Sequence, residues 1–161
     1  MEYAIQVVLI GIGATLVMDL WAGLLKKLFG IPSLNYGMVG RWIGYFPKGR
    51  MFHQNIGAAS PIFGENMLGW SVHYLIGIVF SIVLFVILGR EWIESPSLQP
   101  ALFMGAVTVV LPFFIMQPSM GMGVAASRLP NPNVARARSL MAHLSFGLGL
   151  YVSAKFLLLD W

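Results

Sequence analysis

Four stretches of about 20 consecutive, mostly apolar residues constrain this chain more than anything else in it. A helix needs about that many to cross the hydrocarbon core of a bilayer. The runs cover residues 3–25, 67–88, 99–117 and 140–159. Lipid offers no partners to backbone amides, and four spans are too few to close a barrel, so each run is expected to be a helix. Composition points the same way. Of the 161 residues, 58% are hydrophobic and 10% are charged, whereas a soluble domain carries about 25% charged residues. So few charges could not cover a soluble surface. The chain is therefore expected to be all-α, a single integral membrane domain over residues 1–161 folded as a four-helix transmembrane bundle. Glu2 stands ahead of the first run and no Lys or Arg does, which argues against a secretory signal peptide. The chain has no cysteine, which excludes disulfides, thiolate metal sites and cysteine nucleophiles.

The net charge of +4 matters less than its placement. Four spans put the first and third connections on one side, with Lys26, Lys27, Arg41, Lys48, Arg50, Arg128, Arg136 and Arg138. The other side holds Arg90 and Lys155. Basic loops stay in the cytoplasm, so both termini are expected to face outward. The basic rim is expected to attract anionic lipid head groups, at about 1 kcal/mol per charge. A sharper alternative is a phosphate or anion pocket in which Glu65 joins Arg50 and His53, with Arg41 and Arg128 on the same rim. Nucleic acid is not an expected partner, because no folded soluble module presents these charges.

The first connection, Gly30 to Asn66, is long. Within it Asn35 to Phe46 places Met38, Trp42 and Tyr45 at helical spacing. Trp and Tyr beside Arg favour an interfacial helix or re-entrant segment along the membrane; an irregular glycine-rich loop is the alternative. In the third connection Asn131-Pro132 reads as an N-cap followed by proline at the first helical position. The fourth helix is thus expected to begin ahead of its apolar run.

Small and ionisable residues recur every four positions on three of the helices. The stripes are Gly11, Thr15, Asp19 and Gly23; Glu65, Gly69, His73, Gly77 and Ser81; and Ser139, His143, Gly147 and Tyr151. Such residues stack on one helix face, and small ones let helix backbones approach closely. At 1.5 Å per residue, Asp19 lies roughly 10 Å inside the edge marked by Lys26. By the same rise His73 lies about 10 Å from the start of its helix and His143 about 7 Å from Arg138. Gln117 falls at the inner end of the third helix. A lone charge in lipid costs several kcal/mol, so Asp19 is expected to pair with His73 or His143. Asp and His chains build proton relays, and His changes charge near neutral pH. A hydrogen-bonded pin that only fixes helix packing would use the same residues.

Other chemistries find less support. Two His and two carboxylates could hold zinc or iron, yet no HExxH or ExxH spacing occurs, and no cofactor is expected. Met116, Met120 and Met122 suit copper(I), but methionine is ordinary core filler. His73-x-x-x-Gly77 recurs as His143-x-x-x-Gly147, a faint mark of two tandem hairpins. GxSxG and the P-loop are absent. An enzyme is less expected than a non-enzyme, with a lipid- or quinone-modifying one as the remaining option.

Six segments carry a family resemblance. They are Gly11 to Trp21 (GIGATLVMDLW), Gly40 to Phe52 (GRWIGYFPKGRMF), Gly64 to Tyr74 (GENMLGWSVHY), Pro112 to Ser127 (PFFIMQPSMGMGVAAS), Ala135 to Leu140 (ARARSL) and His143 to Tyr151 (HLSFGLGLY). Together they resemble the small bacterial inner-membrane family catalogued as domain of unknown function 2938. The resemblance implies a bacterial four-helix inner-membrane protein and no particular activity; with the basic loops inside, the chain is expected to be multi-pass with both termini in the periplasm. From the residues, the leading expectation is a small proton-linked transport or solute-binding module. Its polar cluster would be Asp19, His73, Gln117 and His143, with Arg50 and Glu65 at the cytoplasmic entrance. A structural or assembly protein is the alternative. One four-helix unit leaves little room for a pathway, so a homodimer could supply a second half.

Overall fold

A computed structural model of the chain describes residues 2–159. Among them every regular element is helical and no strand occurs. Helix α1 spans Glu2–Phe29, α2 Tyr36–Gly44, α3 Glu65–Glu94, α4 Leu98–Thr108, α5 Gln117–Ser119 and α6 Pro132–Leu157. A five-residue π turn, Pro112–Met116, lies between α4 and α5, and the helical path is continuous over Leu98–Ser119. Four helices are long and apolar enough to cross a membrane: Tyr3–Phe29, Glu65–Glu94, Leu98–Ser119 and Pro132–Leu157. Protein buries only 17–33% of their most apolar windows. Large side chains such as Leu20, Val86 and Phe103 stand outward. Helices so uniformly apolar and so little covered need a hydrocarbon solvent.

Local chemistry explains where the helices start, stop and bend. Lys26 and Lys27 sit in the last turn of α1, where cations complement the helix dipole. Gly30 then takes φ +65° and ends the helix. Inside α3, Gly89 adopts φ 71° and ψ −173°, so the regular helix breaks there and a short turn leads Trp92 and Ile93 inward. Pro112 has no N–H, so the Thr108 carbonyl cannot receive the usual helical bond from it. The turn widens, and the Gln117 amide bonds back to the Pro112 carbonyl. At the start of α6, Pro132 occupies the first helical position and the Ala135 amide donates to Asn131. The segment expected to be interfacial does form a helix, α2, with Gly37, Val39 and Gly40 buried.

The chain divides into two compact units. The first comprises residues up to Ser33, Tyr74–Thr108 and those from Leu140 onward. Its core contains Val7, Ile10, Ala14, Leu84, Trp92, Ala101, Met104, Phe146 and Leu150. In lipid, burying apolar surface does little to drive helices together, so close van der Waals packing must do it. The small-residue stripes supply that packing. A methyl group added at Gly11 would lie 2.6 Å from Ile78 Cα on α3, and one at Gly149 would lie 2.7 Å from Ala14 Cα on α1. One at Gly105 would lie 2.8 Å from Gly147 Cα, joining α4 to α6. Ser81 adds a hydrogen bond to the Val7 carbonyl at 2.8 Å. Gly23, expected on the same stripe, is exposed and has nothing within 4 Å of an added methyl.

The second unit comprises Leu34–His73 and Val109–Ser139. Here α2 crosses the first turns of α3 at Gly40 and Gly69, where a methyl at Gly40 would lie 2.6 Å from the Gly69 nitrogen. Two backbone hydrogen bonds tie the loop after α2 to the end of the third long helix. The His53 amide donates to Ser119 O at 2.8 Å and the Ile56 amide to Met120 O at 3.1 Å.

Candidate functional site

In the second unit, Arg41 on α2 meets Glu65 at the first position of α3. Arg41 Nε donates to Glu65 Oε2 at 2.9 Å and Nη2 to Oε1 at 2.7 Å, a fork-on-fork pair. The remaining guanidinium face reaches the Ala59 carbonyl at 2.9 Å and the Ile56 carbonyl at 3.4 Å. The Ile62 amide donates to Glu65 Oε2 at 2.9 Å. The two side chains are 12% and 16% exposed, so most water is kept away. The hydrogen bond to Glu65 holds the Arg41 pKa above its ordinary value, against the opposing effect of burial. Both oxygens of Glu65 are thereby engaged. Arg50 and Arg128, grouped with them on the basic rim, are exposed. Arg136 is half-buried and donates to Ala125 O at 2.8 Å and Asn133 Oδ1 at 2.9 Å.

His53 is placed differently. Both ring nitrogens are shielded from solvent and have no hydrogen-bond partner among the described residues. Its ring stands edge-on to Tyr45, 5.0 Å between centroids, and the Tyr45 hydroxyl is committed to the Ser60 carbonyl. Gln117 is buried. Its amide nitrogen donates to Ser139 Oγ at 3.4 Å, while Oε1 has no partner among the described residues. His73 stacks on Tyr36 at 4.2 Å, with its Nε2 2.9 Å from the Tyr36 hydroxyl, and Trp70 closes the aromatic group.

In the first unit, Asp19 on α1 is hydrogen-bonded to the Tyr74 hydroxyl on α3. His143 on α6 lies with Nδ1 2.8 Å from Thr108 Oγ1 on α4. The Thr108 hydroxyl carries one proton and donates it to Gly105 O at 2.6 Å. Its oxygen therefore accepts from His143, which places the imidazole proton on Nδ1. The polar residues named from sequence thus include two with hydroxyl partners in this unit, Asp19 and His143. Two more, His73 and Gln117, are hydrogen-bonded to Tyr36 and Ser139 in the other. Among the described residues no group of three or more His, Asp or Glu is arranged to hold a metal ion.

Sequence reasoning missed Tyr36, Tyr74 and Thr108. Thr108 carried a readable signal, one turn before a proline, where a polar side chain often compensates a broken helical bond. Tyr74, next to His73, lies off the period-four stripe and carried none.

Fold and site together define a helical, multi-pass membrane protein with ionisable residues inside its spans. Residues 8–157 match the family described as "Protein of unknown function (DUF2938)", and the chain belongs to that family. No curated protein and no solved structure matches the chain.

Proposed function

We propose that this is a bacterial inner-membrane protein, both termini periplasmic, that couples proton uptake to movement or binding of a small solute. The observation that carries this reading is Asp19, an acidic residue within a long apolar helix, held by a tyrosine hydroxyl from a second helix. An intramembrane carboxylate is expensive, and chains commonly keep one for proton or substrate handling. Asp19 is the proton acceptor in this account. His143 is its companion in the same unit, its Nδ1–H given to the Thr108 hydroxyl. The excess of basic residues in the first and third connections supports the orientation.

The hydroxyl partners favour a second reading, in which Tyr74–Asp19 and Thr108–His143 only pin helices together. Purified protein in proteoliposomes with an internal pH-sensitive dye separates the two. Wild-type protein should show a flux that Asp19→Asn loses while keeping its helical content and gel-filtration profile. If wild-type moves neither protons nor any candidate solute, the transport reading falls and the pin remains. Orientation is checked with single cysteines. Cysteine at Ser95 should react with an impermeant maleimide from outside the cell, and cysteine at Ser60 only after permeabilisation.

A further inference from the structure

The second unit contains six basic residues, Arg41, Lys48, Arg50, Arg128, Arg136 and Arg138, and one acidic residue, Glu65. Glu65 is spent on Arg41, which leaves the surface of this unit strongly positive. Between Asp19 and Glu65 the sequence has no acidic residue at all. Within that stretch the structure builds a compact turn after α2. The Lys48 amide donates to Tyr45 O at 3.0 Å, that of Gly49 to Phe46 O at 2.9 Å and that of Arg50 to Tyr45 O at 3.2 Å. Gly49 takes φ +69°, a left-handed conformation that reverses the chain at little cost to glycine. Trp42 Nε1 donates to Met51 O at 2.8 Å, and its ring packs edge-on against Phe46 at 5.0 Å.

This well-tied turn leaves its side chains largely open to solvent, with the Lys48 ammonium also standing over the Tyr45 ring, 5.2 Å from its centroid. Lys48 and Arg50 are exposed, Met51 is 52% exposed and Phe52 76%. Phe63, two residues ahead of α3, is fully exposed, and exposed Met67 and Trp70 continue along the helix. Cations adjoining bare apolar side chains suit the membrane interface, where acyl-chain tops cover the apolar groups and phosphates meet the cations. We propose that the turn from Lys48 to Phe52 is a binding site for acidic phospholipid. Lys48 and Arg50 contact the anionic head group, and Met51 and Phe52 lie among the upper acyl carbons. The charge of this unit selects that occupant over a zwitterionic lipid. The proposal rests on the membrane reading and not on proton movement, so a silent flux assay leaves it standing.

Because the chain has no cysteine, Met51→Cys labelled with bimane gives a single reporter in the full-length protein. The labelled protein is reconstituted in phosphatidylcholine–phosphatidylglycerol vesicles in which either lipid, in turn, carries bromine. Brominated phosphatidylglycerol should quench the label more strongly, with an apparent preference of about fivefold for each cation. Lys48→Gln and Arg50→Gln should each reduce the preference, and the double variant should abolish it. Both positions are exposed, so the variants keep their fold. Equal quenching by both lipids with Lys48 and Arg50 in place overturns the acidic selectivity. Full quenching by aqueous iodide with none by lipid overturns membrane contact. Protection from both quenchers that grows with protein density means that a second copy covers the turn, and it overturns the proposal too.

Discussion

Removing one partner of the Arg41–Glu65 pair should damage the protein more than removing both. Glu65→Ala takes away two charge-assisted bonds to the guanidinium and the acceptor of the Ile62 amide. The carbonyls of Ala59 and Ile56 cannot neutralise the cation left behind. Exposed pairs contribute about 1 kcal/mol or less, and breaking a fully buried one costs about 3–5 kcal/mol. With 12% and 16% of the side chains exposed, Glu65→Ala should fall between them, near 2 kcal/mol. The double variant Arg41→Met, Glu65→Leu fills similar volume without a charge and should recover most of that loss. Unfolding free energies in mixed micelles, measured as a double-mutant cycle, supply the numbers. Hydrogen exchange at the Ile62 amide should rise in Glu65→Ala. A Glu65→Ala loss well under 1 kcal/mol, or a double variant worse than either single one, would refute this account of the pair.

Three further outcomes follow from the packing. Gly77→Leu should destabilise the first unit by about 1–3 kcal/mol through overpacking, since an added methyl already meets Thr15 and the Gly11 carbonyl. Gly23→Leu should be tolerated, and micelle unfolding reports both. Nitrogen NMR of labelled histidine should find His143 protonated on Nδ1, and Thr108→Val should abolish that preference at a stability cost of about 1 kcal/mol. His53→Phe keeps a flat ring and removes two nitrogens that lack partners among the described residues. It should leave stability unchanged or raise it by about 1 kcal/mol, again read by unfolding.

How much could be read in the sequence depends on what each feature costs. Unpaired backbone in lipid is so unfavourable that the long apolar runs permit little but helices, and four such helices occur. Small residues every four positions announce close helix contacts, and Gly11, Gly77 and Gly147 make them. Gly23 shows the limit, because periodicity marks a face without saying whether a neighbour reaches it. Pro132 set the start of α6 through its missing amide and fixed φ, both properties of one residue. Partners were far less legible. That Arg41, and not another cation of the rim, engages Glu65 depends on the crossing of α2 and α3 at Gly40 and Gly69. The hydroxyls of Tyr36, Tyr74 and Thr108 likewise come from sequence-distant positions that no spacing rule selects. The π turn at Pro112 was visible only as a proline inside an apolar run.

The most direct test of proton handling is infrared difference spectroscopy on reconstituted protein taken between acidic and alkaline buffer. If Asp19 exchanges protons with solvent, a carboxyl stretch appears at the acidic end, disappears at the alkaline end and is missing in Asp19→Asn. If the wild-type and Asp19→Asn spectra coincide at every pH, Asp19 does not take up protons and the proposed function is wrong.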